Sequence, residues 1–396
     1  MPDANQGIID MEPSNFTDKK PGRLLKMPYG YWAFLPSPLP PKIDPSWDLM
    51  KLVSEADRNL SELAGIGRTL PNPHLLIDPF IRREAVSSSR IEGTQASLSD
   101  LFFFEALPSP KPKVGDVVEV LNYVKALEYG LNRLKTLPMS LRLIREMHEK
   151  LMHGVRGQER TPGEFRRSQN WIGPPGCTLT DATYVPPPQE EMKDALSELE
   201  KFLHQPNSLP PLVRLALIHY QFEAIHPFLD GNGRVGRLLI TVLLCMEEIL
   251  PKPLSYLSSF FERHRQEYYD RLLAVSQRGQ WTEWIAFFLR GVTVQSKDAI
   301  KRSDQLLHLW QVYRKKVQSA RSSALLLQLV EELFTYPAVT VSRAAKFLGV
   351  THRSAQLNID KLVSTGILKE STGKLRNRVY VAPEIIRIIE AQEAEG

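Results

Sequence analysis

The sequence has few cysteines: only Cys177 and Cys245 among 396 residues. Two cysteines do not make a disulfide framework, so we expect a reducing environment and a cytoplasmic location. A long hydrophobic run is also missing, because the most apolar stretch, Leu238 to Met246, is bounded by charged residues and is too short to cross a membrane. The N-terminus has no apolar core of the kind that a signal peptide needs. We therefore expect no membrane partner.

The net charge is small. Lys and Arg number 50 against 45 Asp and Glu, and this surplus of +5 does not by itself argue for a nucleic-acid partner. Hydrophobic residues at 42% and charged residues at 24% are ordinary for a globular protein. A chain of this length has room for two or three domains and a large core.

The chain is expected to divide into five regions. Residues 1–25 are polar, lack hydrophobic periodicity and are expected to be disordered. The other regions are a helical N-terminal region at 26–115, a central domain at 116–292, a linker helix at 293–321 and a C-terminal domain at 322–396. Helical spacing of apolar residues predicts helices at 47–65, 72–91, 98–107, 118–134, 140–152, 190–203 and 212–225. The predicted fold class is therefore mainly α.

The polar residues of greatest interest form one stretch, His226-Pro227-Phe228-Leu229-Asp230-Gly231-Asn232-Gly233-Arg234-Val235-Gly236-Arg237. The helix before it is expected to end near Ile225, because a residue that precedes proline is disfavoured in the α conformation. Gly231, Asn232 and Gly233 can adopt positive φ angles that direct successive backbone N–H groups at one point. A second helix begins there, and its N-terminal donors and dipole favour a phosphate.

Four side chains add chemistry to this turn. Arg234 and Arg237 are three residues apart, so they project from one side of the helix and can bind phosphate oxygens. Asp230 provides the hard oxygen ligand that a phosphate-bound Mg²⁺ takes. His226 can accept a proton near neutral pH. The alternative is a structural corner between two helices, with solvated arginines and a capping histidine; a single function explains the combination of residues better.

The stretch resembles the Fic family motif, H-x-F-x-[D/E]-G-N-G-R-x-x-R, at every specified position. The resemblance covers roughly residues 79–290 and implies a helical nucleotide-binding fold, the Fic core. It also implies a protein adenylyltransferase, which transfers AMP from ATP to a Ser, Thr or Tyr hydroxyl of a target protein or of the chain itself. Mg²⁺ or Mn²⁺ is the implied cofactor. The implied roles are base for His226, metal ligand for Asp230, and phosphate binding for Gly231, Asn232, Gly233, Arg234 and Arg237.

A second motif ends one of the predicted helices, Ser88-Ser89-Arg90-Ile91-Glu92-Gly93. Ser88 and Glu92 are four residues apart and share one helix face, and Gly93 can terminate the helix. Read alone, this pattern is a solvated helix end. Beside the Fic motif it resembles the inhibitory motif of the family, [S/T]-x-x-x-E-[G/N]. The resemblance implies that Glu92 pairs with Arg237 and competes with the γ-phosphate of ATP.

Two further segments resemble parts of Fic proteins. Residues 179–188 are predicted to form a β-hairpin, because β-branched and aromatic residues favour extended backbone and the prolines stop further pairing. It resembles the Fic flap, in which Thr183, Tyr184 and Val185 would hold the target by backbone pairing; the alternative is a surface loop. His264 occupies the adenine-side position where the family commonly has Asn, which leaves base selectivity open. Its alternative is an exposed polar residue.

The C-terminal domain reads as helix, helix, turn, helix and hairpin, an order that resembles a winged helix–turn–helix. The outward groups would be Arg353, Ser354, Gln356 and Asn358 on the recognition helix and Lys374, Arg376 and Arg378 on the wing. DNA is then a partner. A protein-docking or dimerisation module, and with it a homodimer, is an equally open alternative. The full fold prediction is a mainly α protein: a helical Fic core with a small β-hairpin flap and a C-terminal winged helix.

Two other functions remain alternatives. Fic relatives also move other phosphate-containing groups, so the motif does not fix the donor. A DNA-binding transcriptional regulator could instead use its Fic core only to sense a nucleotide. The presence of His226 favours catalysis, because a sensor needs the arginines but not a base.

Overall fold

The computed structural model describes residues 11–69, 72–107, 115–319, 324–373 and 376–391. Within these ranges it contains fifteen α-helices and five short strands, which confirms the mainly helical fold class. None of the described helices is both long and apolar enough to cross a membrane. The chain forms two compact units, each assembled from three separate segments.

The first unit comprises Met1–Asp57, Lys125–Leu243 and Arg263–Val292. Its elements are β1 Gly22–Lys26, β2 Trp32–Pro36, α1 Trp47–Thr69 (first half), α4 Asp116–Arg133 (second half), α5 Leu141–Met152, α6 Gln189–His204, α7 Pro211–Ile225, α8 Asn232–Met246, α10 Arg265–Arg278 and the start of α11 Trp281–Ser319. The second unit comprises Arg58–Val124, Leu244–Glu262 and Thr293–Gly396. It adds α2 His74–Ile91, α3 Leu98–Ala106, α9 Ser258–Arg263, α12 Ala324–Thr335, β3 Ala338–Thr340, α13 Val341–Leu348, α14 His352–Ser364, β4 Lys369–Glu370, β5 Val379–Val381 and α15 Pro383–Glu390.

The N-terminal part of the first unit is more ordered than its composition predicts. Residues 1–10 lie outside the described range, but residues 11–25 contain a 3₁₀ turn at Pro13–Asn15 and strand β1. Strands β1 and β2 pair antiparallel, with Gly22 opposite Pro36 and Lys26 opposite Trp32. Two buried apolar anchors, Met11 and Phe34, hold this segment against the unit. Two five-residue strands give too short a pattern to outweigh a polar composition, and packing supplies the order.

Helices α7 and α8 carry the motif between them. Helix α7 ends at Ile225 as predicted, and His226 takes a left-handed conformation with φ of 49°. Helix α8 begins at Asn232, so the connection covers residues 226–231 and the first turn of α8 already contains part of the motif. The buried indole of Trp284 on α11 donates to the carbonyl of Ala216 at 2.9 Å and locks α7 in the core. This packing fixes where the connection leaves the interior.

Helix α11 differs from its predicted form. The sequence predicts a linker helix that is confined to residues 293–321, whereas the structure has one helix of 39 residues, Trp281–Ser319. Its first turns bury aromatic side chains, including Trp284 and Phe288 at 0% exposure. The charged remainder continues the same helix, since it contains no proline or glycine that could interrupt it.

The C-terminal elements of the second unit follow the predicted order, with one extra strand. Strand β3 joins β4 and β5 in a three-stranded antiparallel sheet of order β3-β5-β4. Thr340 and Thr351 cap the N-termini of α13 and α14, and Gly349, with φ of 64°, ends α13. Lys374, assigned to the wing, lies outside the described residues. The winged-helix assignment stays a prediction.

Helix α2 belongs to the same unit as these C-terminal elements. The ring of Tyr336 lies 4.9 Å from the guanidinium of Arg82 on α2 and 3.7 Å from that of Arg343 on α13. Arg83 on α2 donates to the carbonyl of Ile389 on α15. Helix α2 and the C-terminal elements, which the sequence assigns to separate domains, therefore pack within one unit.

Candidate functional site

The connection between α7 and α8 is held in shape by its own side chains. Asn232, 2% exposed, accepts from the N–H of Phe228 and donates to the carbonyl of Phe228, both at 2.8 Å. Gly231 has φ of 79°, and a Cβ there would lie 2.9 Å from the sulfur of Met152. A side chain at Gly231 would therefore be strained and crowded. Both polar atoms of the Asn232 side chain bond to the loop backbone, so Asn232 can contact a ligand only through its own backbone.

The first turn of α8 faces this connection with backbone N–H groups that have no carbonyl partner inside the helix. These are the amides of Asn232, Gly233 and Arg234. The N–H of Gly231 differs, because it donates to the Asp230 carboxylate at 2.7 Å. Backbone amides at a helix N-terminus and the helix dipole favour an anion, and the anion site at this turn stays a prediction.

His226 occupies the C-terminal end of α7 with a defined ring orientation. Its backbone N–H donates to Phe222 at 3.0 Å. Its Nδ1 lies 3.3 Å from the carbonyl of Glu223, which can only accept, so Nδ1 carries the proton in the neutral ring. Nε2 is then the basic nitrogen, which is the state a proton acceptor needs.

Two residues that the sequence did not single out hold the left-handed backbone of His226. Arg166, 1% exposed, donates from Nε to the His226 carbonyl at 3.0 Å and from its terminal nitrogen to the carbonyl of Pro187. Asn170 donates to the carbonyls of His226 at 3.3 Å and Phe228 at 2.8 Å. A non-glycine residue with positive φ persists only where its surroundings fix it, and these donors do so.

Asp230 is half-buried, with a side chain 32% exposed, and lies among positive groups. Its carboxylate oxygens are 3.6 Å from Arg234 and 3.7 Å from Arg160. Gly157, with φ of 85°, approaches so closely that a Cβ would lie 2.7 Å from the carboxylate. The backbone carbonyl of Asp230 accepts from Nε2 of His148 at 3.0 Å. Gly157, Arg160 and His148 are further parts of the site that local sequence patterns did not reveal.

The residues around Asp230 fit a metal ion that arrives with a phosphate ligand. No group of three or more His, Cys, Asp or Glu side chains suited to a metal occurs in the described part of the chain. A single carboxylate beside a phosphate-binding turn matches the way Mg²⁺ is held, through one or two carboxylates plus substrate phosphates and water. It does not match an all-protein cage.

The two arginines of the motif are buried rather than solvated. Arg234 is 3% exposed, and Arg237 is 1% exposed and among the largest fully buried side chains. Arg234 lies near Asp230 and within 3.5 Å of the sulfur of Met152. The guanidinium of Arg237 hydrogen-bonds Tyr268 on α10. A structural corner with solvated arginines is therefore wrong, because burying a charge is costly unless paired groups or a ligand compensate it.

The predicted flap takes a different form. Ile172 and Tyr184 make an isolated antiparallel bridge in place of a hairpin ladder. Thr183 is half-buried, while Tyr184 and Val185 are buried. The N–H of Phe34 donates to the Val185 carbonyl at 2.8 Å, and the sulfur of Met11 lies 3.1 Å from the Val185 N–H. The chain's own N-terminal segment thus covers the strand edge that was expected to be exposed at Val185.

The predicted adenine-side residue, His264, and the residues of the predicted inhibitory motif, Ser88 and Glu92, are all at least half-buried. His264 is half-buried between α9 and α10, with its ring edge-on to Phe287 at 6.5 Å. Glu92 is the half-buried C-terminal cap of α2, and Gly93 has φ of 94°. Ser88 is fully buried. The alternative of a solvated helix end does not hold for Ser88, because its side chain is shielded from solvent.

The residues chosen for DNA contact divide into two groups. Arg353, Arg376 and Arg378 are exposed, as a DNA-binding surface requires. Asn358, expected to point outward, is 6% exposed and donates to the carbonyl of Ser354 at 2.9 Å. The outer face of α14 instead presents Leu357, which is 58% exposed. The face was misread by one residue, because the side of α14 that carries Ala355, Asn358 and Ile359 is buried.

Two buried histidines predict how stability depends on pH. Burial lowers the pKa of His148 to about 4 and that of His219 to about 3. The unfolded chain protonates both below about pH 6.5, so it binds more protons than the folded chain between about 6.5 and 4. Stability is complete above this window and falls as the pH drops through it, by up to about 1.4 kcal/mol per pH unit for each histidine.

Urea unfolding measured from pH 7.5 to 4.5 checks this expectation. The double variant His148→Gln, His219→Gln should show a flatter decline than the parent. His204→Gln, at the exposed end of α6, is the matched control and should keep the parent slope. Equal slopes in the parent and the double variant would contradict the assignment.

The connection between α7 and α8 thus brings together a helix N-terminus, an oriented imidazole and two buried arginines, which are groups that can bind a phosphate. Residues 50–132 match the family model "Fic/DOC family N-terminal", and residues 138–244 match "Fic/DOC family". The chain therefore contains a Fic/DOC domain at residues 138–244, preceded by the matching N-terminal region at residues 50–132.

Curated relatives carry one name. "Protein adenylyltransferase Fic" of Drosophila grimshawi is 36% identical over 129 residues, 32% of this chain and 24% of the relative. The protein of the same name from Aedes aegypti is 31% identical over 151 residues, 38% of this chain and 27% of the relative. The chain thus spans about a quarter of the length of these relatives.

Solved structures support the fold. A Fic family protein from Desulfovibrio desulfuricans G20 has a TM-score of 0.57 and 18% identity, covering 87% of this chain and 98% of that one. Fic-1 (residues 134–508) from C. elegans has a TM-score of 0.50 and 19% identity, covering 64% of this chain and 73% of that one. At these identities the likeness concerns the fold alone.

Proposed function

We propose that this chain is a protein adenylyltransferase that transfers AMP from ATP to a Ser, Thr or Tyr hydroxyl of a target protein or of itself. The observation that carries the proposal is the position of His226, whose basic Nε2 belongs to the connection that leads into the anion site of α8. A protein that only sensed a nucleotide would need the anion site without this base. Mass spectrometry of a target incubated with the chain and ATP tests the proposal, with an added AMP group on a hydroxyl as the expected product.

The proposed reaction is an in-line displacement at the α-phosphorus. The target oxygen forms a bond to that phosphorus while the bond to the bridging oxygen of the β-phosphate breaks, and pyrophosphate leaves. His226 Nε2 accepts the proton of the target hydroxyl. Most of the catalysis in such a transfer comes from positioning and charge stabilisation.

The phosphates would be bound by the first turn of α8 and by the two arginines. The amides of Gly233 and Arg234 donate to phosphate oxygens, and the buried guanidinium of Arg237 neutralises charge on the leaving pyrophosphate. His264 is the proposed adenine-side contact. Because the family commonly has Asn there, a donor other than ATP with a different phosphate-containing group is the alternative, and comparing nucleotides as donors separates the two.

Asp230 is the proposed ligand of Mg²⁺ or Mn²⁺, which would lower the negative charge of the phosphates when bound. We expect Asp230→Ala to remove transfer activity and a chelator in excess to do the same to the parent, because a single carboxylate is the protein's whole contribution to this ion. Asp194→Ala, an exposed aspartate on α6, is the control and should retain activity. Undiminished transfer by the parent in excess EDTA would reject the metal requirement.

Glu92 is proposed to inhibit the enzyme. By resemblance to the inhibitory motif, its carboxylate engages Arg237 and takes the place of a phosphate oxygen. Its position at the half-buried end of α2, beside the buried Ser88, supports a fixed rather than a solvated carboxylate. ATP would still bind, but in a pose that does not lead to transfer.

The segment around Thr183 is proposed to dock the target through its backbone. The carbonyl of Val185 already accepts a hydrogen bond from the N–H of Phe34. A target strand would therefore pair at Thr183 or displace the N-terminal segment. Either route ends next to the motif, because the hydroxyl of Tyr184 donates to the carbonyl of Ala224 on α7 at 2.8 Å.

The C-terminal module is proposed to bind DNA as a winged helix. In fluorescence-anisotropy titrations at low salt, Arg353→Ala should weaken binding by about 1–3 kcal/mol and relax sequence preference. Arg376→Ala should weaken binding to all sequences alike. Lys193→Ala, an exposed lysine of α6, is the control and should bind as the parent does.

Protein docking or homodimerisation is the second candidate for this module. Leu357 is 58% exposed and Phe347 is 46% exposed, and apolar side chains of this size are unusual on a DNA-facing surface. Failure of the full chain to retain any duplex DNA at low salt would favour docking.

A further inference from the structure

A buried chain of hydrogen bonds links the motif residues Gly236 and Arg237 to two residues outside the motif, His219 and Tyr268. His219 on α7 is 2% exposed and Tyr268 on α10 is 1% exposed. Nε2 of His219 lies 2.7 Å from the hydroxyl of Tyr268, and Nδ1 lies 3.1 Å from the carbonyl of Gly236. The guanidinium of Arg237 hydrogen-bonds the same tyrosine. Three elements of the first unit therefore meet at one phosphate-binding arginine.

The direction of each bond in this chain follows from simple rules. A carbonyl only accepts, so Nδ1 of His219 carries a proton and donates to Gly236. The ring is neutral because burial, together with the charge of Arg237, lowers the pKa of His219 to about 3. Nε2 therefore has a lone pair and accepts the O–H of Tyr268. The oxygen of Tyr268 then has only acceptor capacity left, which it offers to an N–H of Arg237.

We propose that Tyr268 and His219 are positioning residues that aim the guanidinium of Arg237 at the phosphates of the nucleotide. Arg237 has five N–H donors in a rigid plane, and fixing one of them fixes the direction of the others. This inference rests on the proposed function, in which Arg237 binds the triphosphate. It assigns a role to two residues outside the twelve-residue motif.

The packing around this chain of bonds keeps its direction unchanged. Burial, and then the negative charge of Glu223, raise the pKa of Tyr268 well above its usual value, so the hydroxyl keeps its proton. A Cβ at Gly236 would overlap the Glu223 carboxylate and lie 3.2 Å from the ring of Phe222. The glycine thus lets α7 and α8 approach closely enough for His219 to reach the α8 backbone.

The experiment compares ATP with ADP as calorimetric ligands of the full chain. It uses the Glu92→Gly background, so that the carboxylate proposed to engage Arg237 does not mask the effect. Tyr268→Phe removes only the hydroxyl, and the expected result is a fall of roughly tenfold or more in the preference for ATP over ADP, typical of a lost bond to a charged group. Tyr269→Phe, the 37% exposed neighbour, is the matched control and should keep the preference.

Two results would overturn the positioning role. One is an unchanged ATP preference in Tyr268→Phe, and the other is an equal weakening of ATP and ADP, which indicates general damage to the fold. The ring ¹⁵N shifts of His219, recorded without nucleotide, give an independent answer. A proton on Nε2 instead of Nδ1 would overturn the inference, whether or not the Glu92→Gly chain binds nucleotide. Failure of the Glu92→Gly chain to bind either nucleotide would count against the proposed function, and not against the positioning role.

Discussion

His226→Ala is expected to lower AMP transfer by ~10²–10⁴-fold, the usual contribution of a general base. The left-handed backbone of His226 is held by Arg166 and Asn170 through its carbonyl, so removing the imidazole leaves the course of the loop in place. The amides of α8 and both arginines remain. ATP affinity should therefore stay close to that of the parent, and the loss should be in kcat.

The measurement is transfer rate and ATP affinity for the same preparations. His204→Ala, an exposed histidine at the end of α6, is the control and should behave as the parent. If His226→Ala transferred AMP at the parent rate, the base would have to be another group. A parallel loss of ATP binding would instead indicate that the imidazole supports the loop.

Glu92→Gly is expected to raise AMP transfer by at least about tenfold, because a charge-assisted hydrogen bond contributes about 1.5–3 kcal/mol. The released guanidinium of Arg237 becomes available to the phosphates. Glu92→Gln, which removes the charge and keeps the size, should also raise transfer.

The order of action is tested by combining substitutions. Arg237→Ala should stay inactive in the Glu92→Gly background, because that arginine is what Glu92 restrains. Equal transfer rates for the parent and Glu92→Gly, with one target at saturating ATP, would contradict the inhibitory role. The transferase assignment itself would survive that result.

The sequence predicts what is local. The periodicity of α7 and the proline after His226 place the end of that helix correctly, and Gly231 has the positive φ its turn requires. Asn232 shows the limit of such reasoning, because its side chain clamps the loop instead of facing a ligand. Residue type and spacing do not show whether a polar side chain hydrogen-bonds to the nearby backbone or faces a ligand.

Contacts between distant residues escape prediction from one sequence. Arg166 reaches a carbonyl 60 residues away, and Arg83 reaches one 306 residues away. The first contact supports the candidate site, and the second joins the helix that bears Glu92 to the C-terminal elements. Met11 and Phe34 similarly cover a strand edge about 150 residues or more along the chain. These pairings depend on the packing of whole elements, which no short pattern encodes.

The most direct measurement is incubation of the full chain, as the parent and as Glu92→Gly, with ATP labelled at either the α- or the γ-phosphate. The account predicts protein-bound label from α-labelled ATP only, stronger in Glu92→Gly and lost in His226→Ala, with pyrophosphate as the other product. Label transferred from the γ-phosphate, or no transfer from the α-phosphate by a folded, ATP-binding Glu92→Gly chain with a target present, would contradict it.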